Sequence, residues 1–394
     1  MAGPPDDDHH TRVRRRRQLA LDLDLQFVPV GDDGEETIVR RGVLLLDDLA
    51  RETLSTPLRR VSAELVKVCD GLTRAVFDAG RDPVGTAREL DELAGPGRVT
   101  PEHVMSLGFH SLWAGDEQPA RAAKQGPLPP SLEDGVRIGL VDTAIDQRHP
   151  WLTGVKRLGP AGLSRPVNTP EAAHGTFVAG VLRQRLPEAR LVATSPPLLS
   201  SRRGNTGLVS EVDVARALHR LLTFECDTDP IDIVNLSVGA AATHTGMLAV
   251  DVLVRQAHAD RRGRPFALVA SAGNAGSRIP FLPAAQPYVV GVSALTSAEP
   301  PVAADFSNRG PWVSASAEGS GIESSFVSGL KIDSVTFGPF ARWSGTSFAA
   351  PTVTAAIAAR ALDAGVSAPA GAQLVLTNPA HLVLVDHGVV VPTP

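Results

Sequence analysis

The chain has only two cysteines in 394 residues, Cys69 and Cys226. They fall in regions of different pattern, so a disulfide framework is not what stabilises it. Long apolar runs are missing too. The segment after Arg14 to Arg17 reads QLALDLDLQF, broken by Asp22 and Asp24, which is not the apolar core of a signal peptide. Nothing elsewhere approaches the roughly 20 apolar residues of a membrane span. A cytoplasmic protein with no membrane partner is expected. Positive charge is not in excess, since the net charge is −5 and the pI is about 6.1. That balance gives no footing for a nucleic-acid partner, and the four arginines read as a solvated tail behind Asp6 to Asp8. No HExxH string, no paired-cysteine ligand set and no internal repeat is found, so no metal site is assigned.

What the chain does have is alternation. With 43% hydrophobic residues it can build a real core, and its length suits one large domain and a smaller one. From Gly135 onward the apolar runs VRIGLV, RLVAT, DIVNLS, FALVAS and YVVGVS are separated by helical stretches. One of these, from Ser210 to Leu222, opens on a capping box made by Ser210 and Asp213. Such alternation predicts an α/β fold, a doubly wound parallel sheet with helices on both faces and ligands outside the carboxyl ends of the strands. Residues 1–34 read as a polar, disordered tail with one strand at about 20–30. Residues 35–112 read as a smaller α+β region. Its helical periodicity lies in ARETLSTPLRRVSAELVKVCDGL and TARELDELA, and its strand-like pieces are TIVRRGVLLL and RVTPEHVMSL. Residues 113–134 form a linker, and 135–394 form the large domain.

Three short strings each set one reactive side chain among small residues: VDTAID at 141–146, HGTFVAG at 174–180 and SGTSFAAP at 344–351. Alone, Asp142 would pass for a turn or cap, His174 for an early helix residue and Ser347 for a first-turn serine. Together they supply an anion, an imidazole base and a hydroxyl, the groups that nucleophilic acyl transfer needs. Gly175 and Thr176 let a helix begin immediately after His174, and Ala179 and Gly180 let it pack closely on a neighbour. Gly345 and Thr346 lead into a helix from Ser347 to about Ala364, with Pro351 tolerated near its start and Gly365 as its stop. The hydroxyl thereby sits at a helix N-terminus, where negative charge is favoured. A fourth string, ALVASAGNAGS at 267–277, is a strand running into a Gly-rich turn that carries Asn274. An asparagine there is by itself usually a backbone device.

The order Asp, His, Ser, with these neighbours, resembles the subtilases, the subtilisin-like serine peptidases. The resemblance implies a subtilisin-like fold and a serine endopeptidase that processes intracellular peptides or proteins. Asn274 and the backbone N–H of Ser347 would then hold the oxyanion. VNLSVGA at 234–240, with Ser237, Val238 and Gly239, would flank the pocket for the residue before the scissile bond. ASAG at 270–273, with Ala272 and Gly273, would form its other side. SSRRGNTGL at 200–208 resembles in position the loop whose backbone pairs with extended substrate, so the partner is a peptide bound as an added strand. Familiar subtilases often hold a double glycine in the pocket strand, whereas here Gly239 is followed by Ala240, which bears on the pocket's width. No cofactor is implied for catalysis. Structural calcium is common in the family, but no ligand loop is assigned. The segment before the large domain is either propeptide-like, ending near RVTPEHV at 98–104, or an unrelated partner-binding domain. The alternative function is a catalytically weak, peptide-binding pseudoprotease. A lipase is disfavoured, because Ser347 lies in no G-x-S-x-G elbow and the residue order is wrong for that fold.

Overall fold

The apolar runs of the second half become neighbours in one sheet of nine strands. The computed structural model describes residues 17–31, 35–107, 118–159, 170–201, 204–205, 207–243, 246–332 and 334–393; the arginines 14–16, Arg202, Arg203 and the start of the linker lie outside them. The sheet order is Val383–Leu384, Gly388–Val390, Ala315–Glu318, Val289–Leu295, Ala267–Ser271, Ile233–Leu236, Arg137–Val141, Arg190–Thr194, Lys156–Leu158. All neighbours are parallel except the hairpin formed by the first two. Successive residues face opposite sides. Ile233, Val269 and Val292 enter a core shared with helices Pro170–Arg185 and Thr346–Ala364. Val234, Leu268 and Ala270 enter a second core shared with helices Glu211–Thr223 and Leu248–Asp260. Burial on both faces is why these strands read as unbroken apolar runs.

Arg137–Val141 lies between Arg190–Thr194 on one side and Ile233–Leu236 on the other. Strand order therefore reverses beside its carboxyl end, which opens a crevice there. Asp142 occupies that point.

The N-terminal region builds a second, antiparallel sheet that the large domain completes. Its order is Glu64–Cys69, Leu72–Val76, Glu35–Leu46, Val99–Leu107, Val238–Ala241, Phe281–Leu282, with Leu25–Val30 on the Glu35 strand and Leu208–Ser210 on the Val99 strand. One face carries Leu44, Leu46 and Val99 against Leu54, Leu58, Ala87 and Leu90 from the region's own helices. The other face sends Leu45, Leu72, Met105 and Leu107 into the core that holds Val212, Leu218, Leu248 and Val252. The region thus has one core of its own and one that it shares.

Two expectations need correction. The helical periodicity over ARETLSTPLRRVSAELVKVCDGL yields helices only at Asp48–Thr53 and Ser55–Arg60, while Glu64–Cys69 is a strand. Asp70 and Gly71 form a two-residue loop between Cys69 and its partner Leu72, with Gly71 at φ 75°, and such a turn closes a hairpin whatever the helical propensity before it. The tail does not extend to residue 34 either. Leu25–Val30 pairs with the start of Glu35–Leu46, and Leu25 is buried with Ile38, Val104 and Leu208, so a boundary at 34 would cut a hairpin. In the linker, Ala120–Arg121 pairs with the strand Phe340–Trp343, and the Trp151 indole N–H donates to Gly126 O at 2.9 Å.

Candidate active site

Asp142, His174, Ser347 and Asn274 come from four separate elements and meet at the carboxyl end of the parallel sheet. Asp142 follows Arg137–Val141, and Asn274 follows Ala267–Ser271. His174 lies in the helix Pro170–Arg185, and Ser347 is the second residue of Thr346–Ala364. His174 Nδ1 lies 2.8 Å from Asp142 Oδ1, and both residues are buried. A carboxylate only accepts, so this contact places the ring proton on Nδ1 and leaves Nε2 as the basic nitrogen. Asp142 Oδ1 also accepts the Thr143 N–H at 2.7 Å.

The helix carrying His174 does not begin after the imidazole as expected; it begins at Pro170, so His174 is already a full turn inside it. Gly175 has a different task. Its N–H donates to Thr143 Oγ1 at 2.8 Å, and a Cβ on it would fall 2.2 Å from Thr143 O. Any side chain there would push the Asp142 loop off the histidine. Gly180 meets Ser324 and Ser325 with similar closeness, as its small size suggested.

Ser347 is oriented from below. Ser237 Oγ donates to Ser347 O at 3.0 Å, Asn235 Nδ2 donates to Ser237 Oγ at 3.0 Å, and Thr354 Oγ1 donates to Asn235 Oδ1 at 3.1 Å. The next residue, Phe348, has its ring centroid 5.6 Å from the His174 ring, while Trp343 meets that ring edge-on at 5.9 Å. These apolar walls bring the helix start to the imidazole and keep the Asp142–His174 pair dry, which strengthens its electrostatics.

Asn274 is held by its oxygen. Oδ1 accepts from Thr346 N and from Thr346 Oγ1, both at 2.9 Å, and Thr346 Oγ1 accepts the Gly273 N–H at 3.0 Å. With its oxygen engaged, the amide presents Nδ2 as a free-standing donor beside the start of the Ser347 helix. Thr143 and Asn235 were not singled out in the sequence, and Thr346 was read only as the entry to the Ser347 helix. Asn235 carries the clearest signal, a lone amide in the apolar strand IVNL.

The expected substrate-binding residues form one edge of a slot. Val238 and Gly239 pair with Leu107 and Ser106, and Leu208–Ser210 pairs with Ser106, Met105 and Val104 on the opposite side. Leu107 N–H donates to Gly207 O at 2.9 Å. Ala272 and Gly273 are buried, and Gly273, like Gly239, faces the ring of Phe281. Among the described residues, no group of three or more His, Cys, Asp or Glu side chains could hold a metal ion, and no helix is long and apolar enough to cross a membrane.

The sequence profile of the subtilase family matches residues 133–378. The chain belongs to the subtilase family. This subtilase is 31% identical over 226 residues to a thermophilic serine proteinase from Bacillus sp. (strain AK1), a match covering 56% of the chain and 50% of that protein. It is 28% identical over 225 residues to thermitase from Thermoactinomyces vulgaris, covering 56% of the chain and 72% of thermitase. The matched part thus spans only half the length of the first of these relatives. In fold it is similar to fervidolysin from Fervidobacterium pennivorans, a keratinolytic enzyme related to subtilisin, with a TM-score of 0.59 and 18% identity. That likeness covers 93% of the chain and 62% of fervidolysin, and so takes in most of the N-terminal sheet as well as the subtilisin-like domain.

Proposed function

We propose that this subtilase is a serine endopeptidase. His174 Nε2 takes the proton of Ser347 as the hydroxyl attacks a peptide carbonyl. Asp142 holds the imidazole and stabilises it when charged. The Asn274 amide and the Ser347 N–H receive the oxyanion, and water then repeats the cycle on the acyl-enzyme. The observation that carries this reading is the 2.8 Å Asp142–His174 contact, with the start of the Ser347 helix and an oxygen-anchored Asn274 beside it. The chemical step needs no cofactor, because the four side chains supply base, nucleophile, anion and amide donor. The substrate is a peptide or protein bound as an extended strand, and the setting is the reducing cytoplasm, a reading supported by the free thiols Cys69 and Cys226.

We further propose that the N-terminal region is propeptide-like, an intramolecular occupant of the substrate slot. Its last strand, Val99–Leu107, is bonded on one side by Leu208–Ser210, which starts where the loop expected to pair with substrate ends, and on the other by Val238 and Gly239 of the expected pocket strand. A tethered occupant also acts at high effective concentration. A fluorophosphonate probe tests the first proposal: it labels Ser347 and no other residue. Labelling elsewhere, or none in protein freed of its N-terminal region, leaves a peptide-binding pseudoprotease. Deleting residues 1–112 tests the second: folding yield falls, because Leu45, Leu72, Met105 and Leu107 leave a shared core. Unchanged yield and unchanged kcat would make the region a separate partner-binding domain.

A further inference from the structure

Phe281 lies between the two walls that flank the substrate slot near Ser347. A Cβ placed on Gly239 would fall 2.2 Å from Phe281 Cε1, and one placed on Gly273 would fall 2.9 Å from its Cδ2 and 3.0 Å from its Cγ. Opposite edges of one ring therefore touch the two facing glycines. Neither wall is free to yield. Gly239 is paired with Ser106, while the N–H and carbonyl of Gly273 are bonded to Thr346 Oγ1 and to Asn308 N. The backbone that carries the ring is fixed, because Phe281 and Leu282 pair with Ala241 and Ala240.

The register shows which substrate side chain would meet this ring. Ser106 opposes Gly239 and Leu107 opposes Val238, so an antiparallel peptide extended by one residue reaches Ser237, whose hydroxyl is bonded to Ser347 O. In a peptide laid in this register, the next residue presents its carbonyl to Ser347 and its side chain to the gap between Gly239 and Gly273. The phenyl ring already fills that gap. We propose that Phe281 closes the pocket for the residue before the scissile bond, so that this enzyme cleaves after glycine or alanine and rejects large side chains there. The inference rests on the peptidase reading above and adds its substrate class. In the chain's own sequence, the residue after Leu107 is Gly108.

The test uses the full-length protein and quenched fluorescent peptides that carry TPEHVMSL, the sequence of residues 100–107, followed by Gly, Ala, Leu or Phe and a common tail. Fluorophosphonate labelling of Ser347 is read on the same samples. Glycine and alanine peptides are expected to exceed leucine and phenylalanine peptides in kcat/KM by about 100-fold, since a large group must either clash with the ring or stay out of the pocket. Phe281→Gly is expected to raise leucine and phenylalanine cleavage at least about tenfold, and Phe281→Leu, a milder change to the packing, to raise them less. Wild-type protein that labels at Ser347 but cuts all four peptides alike overturns this inference and leaves the peptidase reading standing. So does a labelled Phe281→Gly protein with the wild-type profile. Protein that neither labels nor cleaves, with or without its N-terminal region, overturns both.

Discussion

The two sheets of this molecule are completed in opposite ways. Every strand of the nine-stranded sheet comes from residues 137–390, and both of its faces are covered by helices of the same stretch. The N-terminal sheet takes three strands, Leu208–Ser210, Val238–Ala241 and Phe281–Leu282, from the large domain. The first sheet carries Asp142 and Asn274 at its strand ends; the second is where, on the reading proposed above, a peptide strand is received. A subtilase of this design separates chemistry from occupancy, and substitutions should affect one without the other.

The largest separation comes from Ser347→Ala. Loss of the nucleophile should cost about a million-fold in kcat with no change in the circular dichroism spectrum, since only one half-buried oxygen is removed. The variant should remain full length, whereas the wild type should be clipped between about 105 and 135, after a glycine or alanine, and gain activity. Mass spectrometry of both proteins after incubation checks this; clipping in the variant at the wild-type rate would assign the cut to another protease. Asn274→Ala should lower kcat by about 100-fold and leave KM nearly unchanged, because in the proposed mechanism the amide acts chiefly in the transition state. A raised KM with kcat intact in steady-state assays would move Asn274 to ground-state binding.

A third substitution acts on occupancy alone. Glu211, fully buried at the start of its helix, has Oε2 bonded to both the His103 N–H and His103 Nδ1, at 3.2 and 3.0 Å, and Oε1 bonded to the Ala249 N–H at 2.8 Å. One carboxylate thus joins the strand Val99–Leu107, the proposed occupant, to the two helices beneath it. Glu211→Gln should weaken strand docking by about 2 kcal/mol and speed fluorophosphonate labelling of intact protein by roughly 30-fold, with kcat of the processed enzyme unchanged. Equal labelling rates would show that the strand does not restrict the slot.

The smallest effect is on acid stability. Burial beside Trp151 and Phe340 pushes the His149 imidazole below its ordinary value, and its Nδ1 accepts the Trp151 N–H at 3.2 Å. The folded state favours the neutral ring, so unfolding takes up a proton. The contribution is complete above the ordinary imidazole range and erodes as pH falls below it. Between pH 7 and pH 5 the Tm should fall by a few degrees more in the wild type than in His149→Gln, as calorimetry would show. An identical fall in both would place the acid lability elsewhere.

How much of this was legible in the sequence follows from how local each feature is. Asp142, His174, Ser347 and Asn274 sit in short strings whose small neighbours can be read without a structure, and the parallel strands announced themselves as apolar runs. The misread pieces were settled by partners at a distance or by one strong turn. A strand at about 20–30 was expected, but that it belongs with the N-terminal region rather than the tail shows only when residues 35–40 are set beside it. Glu64–Cys69 followed the Asp70–Gly71 turn rather than its own periodicity. Phe281 had no signal at all. It is an ordinary aromatic residue after Pro280, and its position depends on pairing with Ala241, forty residues earlier, and on two glycines, one in the strand Val238–Ala241 and one in the turn after Ala267–Ser271.

The borrowed strands also set an order in time. Val99–Leu107 is synthesised about a hundred residues before Leu208–Ser210, the first of its large-domain partners, so an open edge has to wait while the ribosome makes the rest. Leu208–Ser210 can then pair with that edge, Val238–Ala241 comes next, and Phe281–Leu282 needs Val238–Ala241 already present. The N-terminal sheet is thus a template laid down first, along which the slot is assembled in the order of synthesis, and the aromatic ring between its walls arrives last.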